Sequence, residues 1–209
     1  ILIAMFIFSV VVTTIFGSPA LLDRVGRWGQ GRGVLLPTLK RVMSAGAPVP
    51  ARVIERFLRL LPPGVEVFTP YGATEALPVA ITSSTEVLGE TRRATEAGHG
   101  VCVGRPVASV EVAIIPVTAE PVERFDEALR LPPGEVGEIT VRGPQVSHAY
   151  VNNPEATTAA KVADPRGGVW HRMGDLGRFD EKGRLWFCGR TSHRVVTTEG
   201  PLDTVPCEG

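Results

Sequence analysis

Apolar and polar positions change their period along this chain, and the changes mark its elements. Residues 11–16 are β-branched and apolar, the signature of a strand. Ser18-Pro19 then opens a helix with proline at its first position. Residues 39–44 read as a second short strand. Val49-Pro50 opens a second helix, in which Val53, Ile54, Phe57, Leu58 and Leu61 recur at helical spacing until Pro62-Pro63-Gly64 ends it. Residues 65–68 are the next strand. Strand and helix alternating from residue 10 to about residue 82 predict a mostly parallel sheet covered by helices.

A polar connection follows over residues 83–104, carrying Glu86, Glu90, Arg92, Arg93 and Glu96. Beyond it the period shortens to that of strands, at 110–117, 137–142, 177–180 and 184–188. Turns separate them at Leu131-Pro132-Pro133-Gly134 and Asp180-Glu181-Lys182-Gly183. Short strands joined by turns predict antiparallel pairing in a small β-barrel. The expected fold class is therefore α/β: residues 1–104 belong to an α/β subdomain, 105–189 to an antiparallel β subdomain, and 190–209 to a hinge and the start of a further domain.

Residues 1–12 are almost entirely apolar. A membrane helix needs about 20 such residues, and this run is shorter and lacks a basic leader. A buried strand or a core helix is the expectation, with a truncated membrane anchor as the alternative. The chain begins at Ile1 and ends at Gly209 just after a motif, which reads as a fragment. With 22 acidic and 22 basic residues the formal net charge is +0, so no basic surface for nucleic acid is expected. Cys102, Cys188 and Cys207 lack CxxC spacing, which argues against a zinc site and for reduced thiols in a cytoplasmic protein.

Candidate chemistry begins at Tyr71-Gly72-Ala73-Thr74-Glu75, read as a tight loop after a buried strand. It offers a ring for a base, a glycine that lets a ligand reach the backbone, a hydroxyl for a phosphate and a carboxylate for magnesium. Alone it matches many plain turns. It is joined in order by Ser44-Ala45-Gly46-Ala47-Pro48, Gly137-Glu138-Ile139-Thr140-Val141-Arg142-Gly143, Gly174-Asp175-Leu176 and Gly189-Arg190. Gly98-His99-Gly100-Val101-Cys102-Val103-Gly104 approaches a dinucleotide fingerprint, but no helical pattern follows it.

This ordered set resembles the adenylate-forming superfamily of acyl-CoA synthetases, luciferases and peptide-synthetase adenylation domains, over about residues 12–195. The resemblance implies that Ala45, Gly46, Ala47 and Pro48 line the adenine pocket together with Tyr71, Gly72 and Ala73, Tyr71 packing on the base. It implies that Thr74 donates to a phosphate, that Glu75 approaches magnesium, that Asp175 accepts from both ribose hydroxyls, and that Arg190 serves ribose or phosphate ahead of a hinge near Thr191-Ser192. Glu138 and Arg142 are read as structural. Two departures are mild: Ala45 stands where the family has glycine, and Met173 where threonine is frequent.

Phe16-Gly17-Ser18-Pro19-Ala20-Leu21-Leu22, residues 69–78 and residues 170–175 resemble, more narrowly, the bacterial olefin-biosynthesis β-lactone synthetases. That resemblance implies ATP and Mg2+ as cofactors, a fatty or 3-hydroxy fatty acid as substrate, and activation of the acid as an acyl-adenylate whose own hydroxyl closes a β-lactone. It leaves coenzyme A and membrane contact open and admits assembly with other olefin-biosynthesis enzymes. A fatty acid–CoA ligase is the alternative, and a non-catalytic nucleotide-binding module is the alternative of another class. Neither a Ser/Thr/Gly-rich loop ending in Pro-Lys nor a lysine-bearing C-terminal domain is found, and both are expected outside this sequence.

Overall fold

The computed structural model describes residues 13–198 and 200–207. The apolar run at 1–12, and with it the start of the strand expected at 11–16, lies outside the described residues. The chain forms two units, one of residues 13–70 and 82–92, the other of residues 71–81 and 93–207.

The first unit is a three-stranded parallel sheet with helices. Strand β1 (Thr14–Gly17) leads to helix α1 (Pro19–Gln30), whose N-cap Ser18 accepts from the Leu21 amide. That bond satisfies a donor that the first turn would otherwise leave open. Strand β2 (Arg41–Ser44) leads to helix α2 (Ala51–Leu58), and strand β3 (Val67–Ala73) begins in this unit. β1 pairs with β2, and β2 with β3, all parallel. The helical spacing seen in the sequence places Val53, Ile54 and Phe57 of α2 in the core with Leu22, Val42 and Val67. An ion pair between Arg56 and Asp23 joins the two helices at the core's edge. Strand β4 (Ala76–Ser83) ends in this unit and runs into α3 (Ser84–Leu88), where the Ser84 hydroxyl accepts from the Val67 amide at 3.1 Å. A further short helix, α4 (Arg92–Glu96), follows, so the polar connection contains two short helices.

The second unit is an antiparallel sheet. Its strands after β4 are β5 (Val101–Pro106), β6 (Glu111–Ile115) and β7 (Gly137–Arg142), then α5 (Pro154–Ala160), β8 (Lys161–Ala163), β9 (Val169–Phe179) and β10 (Leu185–Arg190). The order is β4-β5-β10-β9-β7-β6, with β8 added on β9. This corrects the expected barrel: β6 pairs only with β7 along that order, so the sheet stays open. Closing a barrel needs a hydrogen-bonded partner for each edge and a matched stagger around the ring. The expected strand at 177–180 is also extended, because β9 is one 11-residue strand. Two apolar clusters build the unit: Val79, Val112, Ile139, Val141 and Leu185 in one, and Phe125 stacked on Trp170 at 4.1 Å in the other. A small hairpin, β11 (Val195–Thr197) with β12 (Gly200–Leu202), and helix α6 (Thr204–Cys207) end the described chain. The glycine-rich stretch 98–104 leads into strand β5, not a helix, which removes it as a dinucleotide loop.

Candidate functional site

Each unit carries part of the candidate set. In the first, β2 ends at Ser44, and Ala45-Gly46-Ala47-Pro48 forms the link to α2. Gly46 has φ +96°, a left-handed backbone that disfavours other residues. Gly46, Ala47 and Pro48 are exposed, and Ala45 is half-buried. The Ser44 hydroxyl, buried at the start of this link, has no hydrogen-bond partner among the described residues.

In the second unit, Tyr71-Gly72-Ala73 is not loop but the end of β3, and the turn consists of Thr74 and Glu75 alone. The loop reading stopped the strand too early because Pro70 and Gly72 look like breakers in sequence. Gly72 has a local reason to be glycine: a Cβ there would lie 2.5 Å from the Ala76 carbonyl oxygen and 2.8 Å from Leu77 Cδ1. Thr74 is exposed at the tip.

Tyr71, Asp175 and Arg190 converge. Asp175 is in the middle of β9, not in a turn, and is 4% exposed. Tyr71 donates its hydroxyl to Asp175 Oδ2 at 2.6 Å, and the Tyr71 ring lies 6.1 Å from that of Phe187. Arg190 is paired across the strands with Asp175, and its Nη1 lies 2.9 Å from Asp175 Oδ1 in an ion pair. Oδ1 is thus a buried acceptor partnered by the Arg190 guanidinium, with a second lone pair left over. Burial pushes the Asp175 carboxyl up from its ordinary value, against the lowering by Tyr71 and Arg190. The Tyr71 phenol is raised well above its ordinary value, by burial first and by Asp175 second. Beside them, Gly174 has φ +65°, and the Thr191 hydroxyl donates to the Gly174 carbonyl at 3.1 Å.

Glu75 has partners that the sequence did not suggest. The Tyr150 hydroxyl donates to Glu75 Oε1 at 2.8 Å, and that hydrogen bond is the first cause holding the Glu75 carboxyl below its ordinary value. The Ser147 amide donates to the Glu75 carbonyl at 2.8 Å. Lys161 and His171 lie behind, paired across β8 and β9 and both buried. Burial pulls the His171 imidazole down to about 4, so it is neutral at physiological pH. Tyr150 precedes the turn into helix α5, where Asn152 has φ +55° and Asn153 caps the helix.

Among the described residues no group of three or more His, Cys, Asp or Glu side chains could hold a metal ion. Magnesium is commonly held by one or two carboxylates together with phosphate oxygens and water, and an ionised Glu75 fits that donor set. Also among the described residues, no helix is long and apolar enough to cross a membrane.

A family model described as AMP-binding enzyme matches residues 5–151. An olefin beta-lactone synthetase of Stenotrophomonas maltophilia is 51% identical over 201 residues, covering 94% of this chain and 36% of that protein. One of Xanthomonas campestris is 48% identical over 201 residues, covering 94% of this chain and 35% of that protein. The chain therefore spans about a third of the length of these relatives. Among solved structures, an amide bond synthetase from Marinactinospora thermotolerans superposes with a TM-score of 0.70 at 28% identity, covering 92% of this chain and 34% of that one.

Proposed function

This chain belongs to the AMP-binding enzyme family, and on that premise we propose that it carries much of the nucleotide-binding part of an ATP-dependent β-lactone synthetase acting on a long-chain 3-hydroxy acid. The observation that carries the nucleotide reading is Asp175, a carboxylate only 4% exposed that takes the Tyr71 hydroxyl on Oδ2 and the Arg190 guanidinium on Oδ1. Each carboxylate oxygen has two lone pairs, so Asp175 keeps acceptor sites that ribose hydroxyls would use. The similarity to olefin beta-lactone synthetases supports the narrower choice of reaction.

In this reading Ala45, Gly46, Ala47 and Pro48 are the adenine-binding residues of the first unit, and Tyr71, Gly72 and Ala73 the nucleotide-binding residues of the second. Tyr71 has two tasks, offering its ring to the base and its hydroxyl to Asp175. Thr74, exposed on its turn, donates to a phosphate oxygen. Glu75, with phosphate oxygens and water, would hold magnesium, which when bound neutralises the charge of the triphosphate. Arg190 balances Asp175 and stands next to Thr191-Ser192, where a hinge to a further domain would begin.

The reaction balances in two steps. A carboxylate oxygen of the acid bonds to the α-phosphorus of ATP, and the bond to pyrophosphate breaks. The substrate's 3-hydroxyl oxygen then bonds to the acyl carbon, AMP leaves, and the hydroxyl proton passes to solvent. A nucleophile already fixed beside the activated carbonyl has a high effective concentration, so no thiol is needed.

The test uses the full-length protein that contains this sequence. Given ATP, magnesium and a long-chain 3-hydroxy acid, it should form a β-lactone without coenzyme A, read by mass spectrometry. Efficient thioester formation from an unsubstituted fatty acid, with no lactone, would make it a fatty acid–CoA ligase. Nucleotide binding without any product would make it a binding module.

A further inference from the structure

Glu75 is the start and end of a closed circuit of contacts. Its carbonyl accepts from the Ser147 amide at 2.8 Å. The Ser147 hydroxyl accepts from Lys161 Nζ at 3.1 Å. The same ammonium lies 5.4 Å from the centre of the Tyr150 ring. The Tyr150 hydroxyl returns to Glu75 Oε1 at 2.8 Å. Tyr150 is itself fixed, because its amide donates to the Thr157 hydroxyl at 3.0 Å on helix α5.

The residue that needs a reason is Lys161. It is only 8% exposed, on a short strand whose next residue, Val162, belongs to an apolar cluster. Burying an ammonium costs free energy that a methionine of similar length would not incur. A hydroxyl and an aromatic face lower that cost without removing it. The charge is therefore expected to do something a thioether could not.

We propose that Lys161 is a positioning residue for Glu75: acting through Ser147 on the backbone and through Tyr150 on the carboxylate, it fixes the direction in which Glu75 meets the phosphate-bound divalent cation. This rests on reading Glu75 as the magnesium ligand. Outer partners of this kind orient a ligating group and raise metal affinity. The field of the ammonium acts in the same sense as the Tyr150 hydrogen bond, favouring the ionised carboxylate. His171, the cross-strand partner of Lys161, is held neutral by burial, so the circuit contains one cation and one anion.

The test measures binding of ATP by calorimetry over a magnesium series, and of AMP without metal, in the full-length protein. Lys161→Met and Tyr150→Phe should each raise the half-saturating magnesium concentration about 10-fold. Metal-free AMP affinity and the melting temperature should change little, and Lys161→Arg should recover most of the magnesium response. An equal loss of AMP and magnesium-ATP affinity would mark Lys161 as merely structural and overturn the proposal. If Glu75→Gln shifts the magnesium response while Lys161→Met and Tyr150→Phe do not, the positioning role fails and the Glu75 reading stands. If Glu75→Gln has no effect, both fail. Should Lys161→Met not fold, Tyr150→Phe, which removes one hydroxyl, decides the matter.

Discussion

Asp175 concentrates the chemistry of the second unit in one side chain. Its carboxylate is buried, accepts from the Tyr71 hydroxyl on Oδ2, pairs with Arg190 through Oδ1, and retains acceptor capacity in its remaining lone pairs. Asp175→Ala would leave Tyr71 without its acceptor and remove the acceptor proposed for ribose. The expected loss of ATP affinity in the full-length protein is roughly 1.5–3 kcal/mol, the range for a hydrogen bond to a charged group. Calorimetry checks it, and unchanged affinity would show that ribose is held elsewhere. At this scale the sequence revealed residue types but not company. The resemblance names Asp175 but not its contacts with Tyr71 and Arg190, and it does not single out Lys161. Their roles depend on Tyr71, 104 positions from Asp175, and on Tyr150, 75 positions from Glu75. No window of sequence contains those pairs.

Strands β7 and β9 are tied by the buried pair Glu138 and Arg172. Arg172 Nε and Nη2 donate to Glu138 Oε2 at 2.9 and 2.7 Å, and its remaining donors reach the carbonyls of Thr118, Glu120 and Ala159. One guanidinium thus joins two strands, the segment after β6 and the end of α5. Removing one partner leaves a buried charge without compensation, so Glu138→Ala should cost about 3–5 kcal/mol of stability. Replacing Glu138 and Arg172 together with apolar residues of similar volume should cost less, because no orphan charge remains. Denaturant titration of the three proteins distinguishes the cases, and a Glu138→Ala loss no larger than that of the double variant would contradict the argument. The elements themselves were largely legible. Ser18-Pro19 starts α1, the apolar spacing of α2 sets its buried face, and β7 spans residues 137–142 as expected. The misreadings fell where breaker residues occur within strands, at Pro70 and Gly72 of β3 and at Gly174 and Gly177 of β9. Gly177 is needed inside its strand, since a Cβ there would lie 2.5 Å from the Trp186 carbonyl oxygen.

For the molecule as a whole, the proposed reaction predicts a dependence on the substrate's hydroxyl. An unsubstituted fatty acid can give up its carboxylate to the first step but has no internal nucleophile for the second. Pyrophosphate release by the full-length protein should then stop near one equivalent per site, whereas the 3-hydroxy acid should turn over repeatedly. A pre-steady-state pyrophosphate assay reads the difference, and sustained turnover of the unsubstituted acid would count against lactone chemistry. What the sequence by itself determined is the order of motifs, the alternation of strands and helices in the first unit, and the passage to short antiparallel strands in the second. These are one-dimensional signals, carried by hydrophobic period, helix caps and turn residues. Tertiary structure alone decided that the antiparallel sheet stays open, that Asp175 meets Tyr71 and Arg190, and that Lys161 stands behind Glu75. Those outcomes depend on which distant strands share hydrogen bonds and in what register, and a local pattern of apolar and polar residues is compatible with many such pairings.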